Sequence, residues 1–248
     1  MNKTTTGIIV STVDYKESSK ILNVLTENDG IIGILAKGCK NPRSKIAATS
    51  NVLTYGTFYL SYYKGNIPLL IEVDIKVSFK YIRRDLIKSN YATFLLELTS
   101  QVYRHDKPKE IYNILINGLI KINEGLDPQV ITNIIELKFL KYLGINPVLD
   151  RCVSCKNTTN IITISSYKGG YLCEKCVGNE HIYQLKTISL IRALCYVDLT
   201  KITKIDINPI IKKEINDFLF DYYERYSGLH LKSKKFLENF FQEEKEHH

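Results

Sequence analysis

Apolar positions recur with period two through the first third of the chain and with helical spacing beyond it. Between residues 5 and 80, β-rich runs at 7–13, 21–26, 30–36, 52–63 and 67–78 are separated by turn signals, a pattern that predicts five strands. Asn28-Asp29-Gly30 and Lys64-Gly65-Asn66 read as hairpin turns, because glycine takes positive φ without steric cost. Two hairpins and one longer polar connection among five strands fit a small closed or partly open barrel of the OB type, and an SH3-like barrel fits the pattern nearly as well. In the fourth run, alternation puts Val52, Phe58, Leu60 and Tyr62 on one face and Leu53, Tyr55, Tyr59 and Tyr63 on the other. The Phe58 face suits the barrel interior. The tyrosine face is left either to stack nucleobases or to pack beneath a helical domain.

Beyond Arg83 the period changes. Leu86, Ile87, Tyr91, Phe94, Leu95, Leu98 and Val102 form one helical series, Ile111, Leu115, Leu119 and Ile122 a second, and Val130, Ile131, Ile134, Ile135, Phe139 and Leu143 a third. Pro108 and Pro128 stand at the first turns of the second and third, and Gly144 followed by Pro147 closes the third. A short hairpin at 161–165 and 170–172 interrupts the helices, which resume near Leu185, at 209–226 and at 233–241. The expected fold is therefore α+β: a five-stranded N-terminal barrel over residues 1–80 and a helical domain over 81–248.

The interruption carries the most specific chemistry in the chain. Cys152-x-x-Cys155 and Cys173-x-x-Cys176 have seventeen residues between them, a spacing typical of structural zinc sites. A Zn2+ ion held by four thiolates has a filled tetrahedral shell, so a single ion here would support the fold of a module at about residues 148–180 and leave no position for substrate. Redox use of the cysteines and unused thiols remain open at this point. Cys39 and Cys195 read as small apolar residues.

Charge is the next distinguishing feature. The formal net charge is +8, and its excess is local: residues 31–71 hold Lys37, Lys40, Arg43, Lys45 and Lys64 and no acid. Lys37 to Lys45 reads as an exposed loop broken by Gly38, Asn41 and Pro42, and an un-neutralised cationic loop points to phosphate contact. Lys16 and Lys20 flank Glu17 in a mixed-charge turn, and Asp14 with Glu17 reads as solvated. A second basic cluster runs from His230 to Lys235. His105, His181 and His230 fall in no metalloprotease-like pattern, and Gly30-Ile31-Ile32-Gly33 lacks the residues of a phosphate loop. No stretch approaches the length of a membrane span, and the apolar run after Gly7 is too short for a signal peptide.

Three ordered segments carry a family resemblance. The N-terminal run has Gly7-Ile8-Ile9-Val10, Asp14-Tyr15-Lys16-Glu17-Ser18-Ser19-Lys20-Ile21-Leu22, Leu25-Thr26, Asp29-Gly30 and Ala36-Lys37-Gly38. The middle has Leu143-Gly144, Pro147, Cys152-Val153-Ser154-Cys155 and Gly170-Tyr171-Leu172-Cys173-Glu174-Lys175-Cys176, and the end has Tyr226 and His230 to Leu237. Together they resemble the RecO family of bacterial recombination mediators. The resemblance implies a non-enzymatic DNA repair protein, cytoplasmic and associated with the nucleoid. Such a protein binds single- and double-stranded DNA and anneals complementary strands. With RecR it helps load RecA onto DNA coated by single-strand binding protein. It implies DNA contacts at Lys16, Lys20, Lys37, Lys40 and Arg43, to which local charge adds Lys45, and zinc ligands at Cys152, Cys155, Cys173 and Cys176. It implies neither a membrane nor a small-molecule substrate. The competing readings are a zinc-ribbon adaptor of transcription or translation and a thiol oxidoreductase.

Overall fold

Five strands open the chain of the computed structural model, which describes residues 2–63, 66–105, 108–233 and 237. They are β1 (Asn2–Tyr15), β2 (Ser19–Thr26), β3 (Ile31–Ala36), β4 (Tyr55–Ser61) and β5 (Leu69–Val77). They close a barrel in the order β1-β2-β3-β5-β4, with β1 returning to β4. Every pairing is antiparallel except that of β3 with β5, which meet in parallel at Leu35 and Leu69. This is the OB arrangement, one of the two barrels the hydrophobic pattern allowed.

β1 is longer than its apolar pattern predicts, because Asn2 to Thr6 carries almost no hydrophobic signal yet pairs with β4. Three consecutive threonines favour extended backbone. The first half of β1 pairs with β4 and the second with β2, and a bulge between Ile9 and Ser11 bends the strand between them. β4 in turn starts later than expected, at Tyr55, because Leu53 adopts a left-handed φ of 68°. Gly56 sits where β4 and β5 approach so closely that a Cβ would lie 2.2 Å from the carbonyl oxygen of Asp74.

The barrel interior is filled by Ile9, Leu22, Val24, Ile34, Ala36, Phe58, Leu60, Leu70 and Val73. Cys39 and Ile46, from the long β3–β4 connection, join them. The Phe58 face of β4 thus points inward as expected, with Tyr62 packed at its edge. The tyrosine face divides: Tyr55 stacks at 6.2 Å on Phe79, whereas Tyr59 and Tyr63 are 41% and 61% exposed. The hairpin expected at Lys64-Gly65-Asn66 lies, at Lys64 and Gly65, outside the described residues.

The helices are α1 (Lys80–Arg83), α2 (Leu86–His105), α3 (Lys109–Asn123), α4 (Pro128–Tyr142), α5 (Leu185–Tyr196) and α6 (Pro209–Tyr226), with the hairpin β6 (Ile161–Ser165) and β7 (Gly170–Cys173) between α4 and α5. α1, a single turn, is too short to leave a periodic signal. Residues up to Asn123, together with the chain from Leu231, form one compact unit, and Glu124–His230 form a second. The change from strand to helix near residue 80 therefore falls inside the first unit, where α2 lies against β1 and α3. There Glu97 of α2 accepts hydrogen bonds from the N–H groups of Lys232 (3.1 Å) and Ser233 (2.9 Å) and from the Ser233 hydroxyl. The helix expected at 233–241 lies outside the described residues except for Ser233 and Leu237.

In the second unit, α4 is buried along nearly its whole length and packs against α5 and α6. Asp127 caps it by accepting from Gln129 and Val130 and also pairs with Lys212 of α6 at 2.7 Å. The Tyr223 hydroxyl donates to the Glu136 carbonyl at 2.9 Å. No helix among the described residues is long and apolar enough to cross a membrane.

The facing of β4 predicts opposite outcomes for neighbouring aromatics. Phe58→Ala is expected to cost about 3–5 kcal/mol in urea unfolding, while Tyr59→Ala stays within about 0.5 kcal/mol.

Candidate metal centre and nucleic-acid interface

The two CxxC segments are brought together by the β6–β7 hairpin. Cys173 is the last residue of β7, and Cys176 follows in a turn closed by its own N–H and that of Val177 donating to the Cys173 carbonyl at 2.9 and 3.0 Å. Cys152 and Cys155 form the matching turn, in which the Lys156 N–H donates to the Cys152 carbonyl at 2.9 Å. Val153 donates to the Tyr171 carbonyl at 2.8 Å, tying that turn to β7. Gly170 allows the backbone of Val148 to come close, since a Cβ there would meet the Val148 oxygen at 2.5 Å. Leu172, Val153 and Ile161 pack around the buried Cys152 and Cys173. The Tyr171 hydroxyl donates to the Ile188 carbonyl at 2.9 Å and so fastens the hairpin to α5.

The four sulfur atoms lie within 4.8 Å of one another, and those of Cys155 and Cys173 are 3.6 Å apart. A disulfide needs about 2.05 Å. A tetrahedral ion with metal–sulfur bonds of about 2.3 Å sets its sulfurs about 3.8 Å apart, so the cluster has the geometry to hold a metal ion. Its protons point the same way. Burial alone would raise the Cys152 thiol, but backbone hydrogen bonds at Cys155, Cys173 and Ser154 outweigh it and hold the group at about 6. Hydrogen bonding with the sulfurs of Cys155 and Cys173 pushes Cys176 up to about 12. One thiolate among crowded sulfurs keeps its neighbour protonated, and a bound cation removes that conflict.

The basic candidates gather at one mouth of the barrel. Lys16 occupies the β1–β2 turn with φ 54° and its ammonium 5.4 Å from the Tyr15 ring centre. Lys20 opens β2, and its ammonium donates to Asn51 at 3.4 Å. The β3–β4 connection crosses this turn: the Lys40 N–H donates to the Ser18 carbonyl at 3.0 Å and the Gly38 N–H to the Ser19 hydroxyl at 3.1 Å. Lys16, Lys20, Lys37 and Lys40 are thereby drawn together. Arg43 and Lys45 are exposed on the same connection, whose path is set by Asn41 accepting from the Arg43 N–H at 3.0 Å.

An acid from outside the acid-free window forms an ion pair within this patch. Asp14 pairs with Lys40 at 2.8 Å, and that hydrogen bond holds its carboxyl below the usual range. The sequence window could not reveal this, because the partner lies on another strand. Of the second basic cluster, Lys234 and Lys235 lie outside the described residues.

Two family models match the chain: Recombination protein O N terminal over residues 1–79 and Recombination protein O C terminal over residues 83–235. Among similar proteins, the DNA repair protein RecO of Halalkalibacterium halodurans is 35% identical over 236 residues, covering 94% of this chain and 92% of that protein. The protein of the same name from Bacillus subtilis is 34% identical over 237 residues, with 94% and 92% covered. That from Listeria monocytogenes is 32% identical over 237 residues, with 93% and 92% covered.

Two outcomes follow from the geometry. Cys155→Ser is expected to lose bound metal and about 3–5 kcal/mol of stability, whereas Cys39→Ser leaves metal content unchanged; metal analysis and urea unfolding read both. In Lys40→Ala, Asp14 loses the partner that depresses its pKa, so its carboxyl titrates at higher pH than in the parent protein by NMR.

Proposed function

The chain belongs to the recombination protein O family of DNA repair proteins, and from that membership we propose that it is a non-enzymatic recombination mediator. It binds single- and double-stranded DNA and anneals complementary strands. With RecR it helps load RecA onto DNA coated by single-strand binding protein. The observation that carries the reading is the cationic mouth of the OB barrel. There Lys16, Lys20, Lys37 and Lys40 converge, with Arg43 and Lys45 on the same connection, and they contact the phosphate backbone. Contacts of this kind carry little sequence information, which suits a protein that acts on any strand.

Cys152, Cys155, Cys173 and Cys176 would hold one Zn2+ ion. When bound, the ion supplies folding free energy to the module between α4 and α5. With four thiolates in its shell, the ion has a supporting role, and the chain's own residues do the binding. Thiolates at all four positions would require the proton on Cys176 to leave, so metal uptake releases protons.

Strand annealing measured with and without single-strand binding protein tests the function. Annealing that needs no ATP and proceeds on coated strands is the expected result, and its absence on both bare and coated strands would overturn the reading. Replacing Lys37, Lys40 and Arg43 together with Ala is expected to weaken binding to single strands of any sequence. It should also reduce the slope of log affinity against log salt by about 2; an unchanged slope would move the contact surface elsewhere.

A further inference from the structure

The outer surface of β1, β2 and β3 carries a cleft that the basic mouth does not include. It has a volume of about 470 Å³ and is lined by Val10, Ser11, Asn23 and Ile31 of the barrel, by Asp29 and Gly30 of the turn, and by Ser100, Tyr103 and Arg104 of α2. All of these residues belong to the first compact unit.

The strand registers define its floor. Ser11 pairs with Asn23, and Asn23 with Gly33, so three outward positions form one row across three strands. Over Gly33 the surface is open, since a Cβ there would touch only a methyl group of Ile21 at 3.6 Å. The neighbouring row is Val13, Ile21 and Leu35, in which Val13 is 56% exposed. The next row begins at Tyr15, beside Lys16. Successive rows stand about 6.6 Å apart along the strands. A polar row, an apolar row and the start of the basic mouth therefore follow one another across a single curved face.

The wall comes from outside the barrel. The ring edge and hydroxyl of Tyr103 rest against Gly30, whose φ of 73° and missing Cβ make that approach possible. Arg104 is exposed beside it and makes no ion pair among the described residues. The one carboxylate of the lining, Asp29, is already paired with Lys3 at 2.8 Å. Asn23 donates one hydrogen bond to Ser11 at 2.9 Å, which leaves its carbonyl oxygen and a second N–H for a ligand. Ser100 donates to the Leu96 carbonyl at 2.7 Å and retains its acceptor lone pairs.

A ligand matched to this lining is planar, hydrogen-bonds along one edge and carries a nearby negative charge. We propose that the cleft takes one unstacked nucleobase of a single strand whose backbone enters from the Lys16 turn, with Asn23 and Ser11 meeting the base edge, Tyr103 its ring and Arg104 the adjoining phosphate. The proposal rests on the DNA-binding reading of the barrel and adds to it a preference for unpaired strands. A duplex keeps its bases stacked and cannot fill the cleft, so the two forms of DNA share the basic mouth but not this subsite.

The test uses the full chain and a single-stranded oligonucleotide carrying 5-iododeoxyuridine at successive positions, with ultraviolet crosslinking and peptide mapping. One position is expected to crosslink to the peptide that contains Tyr103. Arg104→Ala and Tyr103→Leu are each expected to weaken single-strand affinity about fivefold or more and to leave duplex affinity within twofold. Arg104 is exposed, so its variant keeps the result interpretable if Tyr103→Leu unfolds. Crosslinks confined to Tyr59 or Tyr63, or an Arg104→Ala variant that loses single-strand and duplex affinity equally, would overturn the subsite while leaving DNA binding by the barrel intact. Binding to neither form of DNA would overturn both.

Discussion

Barrel closure depends on β1 serving two neighbours. A strand that pairs along one half with β4 and along the other with β2 must be long, and it must bend where it changes partner. The bulge at Ile9 to Ser11 supplies the bend. The parallel contact between β3 and β5 completes the ring at one registered pair, Leu35 with Leu69, and a hydrogen bond from Leu35 to the Pro68 carbonyl. With so slight a second seam, the outward side chains of β3 are set in register mainly by its pairing with β2, which is itself aligned on β1. The basic mouth and the polar row that starts at Ser11 both inherit their geometry from it.

Much of this architecture was legible because it rests on local regularities. Period-two alternation identified Phe58 and Leu60 as interior residues, and the prolines at 108 and 128 marked helix starts, Pro128 being the first residue of α4. The cysteine spacing marked four residues whose sulfurs cluster in a way that could hold a metal ion. What escaped the sequence depended on partners distant along it. The threonine-rich start of β1 becomes a strand only because β4 lies beside it. α1 is one turn set by the left-handed Phe79. The Asp14–Lys40 pair joins residues from different segments, and no composition window reveals it. Tyr103 and Arg104 sit in a helix whose apolar series was read for packing, and nothing in that series indicates that its last turn lies against the turn at Gly30.

The two chemical features of the chain divide its labour. The cysteine cluster crowds four sulfurs that could hold a cation, whereas the barrel mouth gathers ammonium groups. The first faces inward, with all four sulfur atoms within 4.8 Å of one another. The second faces outward, with Asp14 paired to Lys40 and Glu17 in the same turn as Lys16.

The carboxylate of Glu97 holds the backbone of Lys232 and Ser233 to α2, although the intervening residues from Glu124 to His230 form a unit of their own. In order of synthesis, the first unit is therefore begun before the second is made and completed after it. The second unit is made in full in the interval, so the contact of Glu97 with Ser233 has to wait until all of the second unit has been synthesised. The contact spans 136 positions of sequence, and the entropic cost of closing a loop grows only slowly with its length.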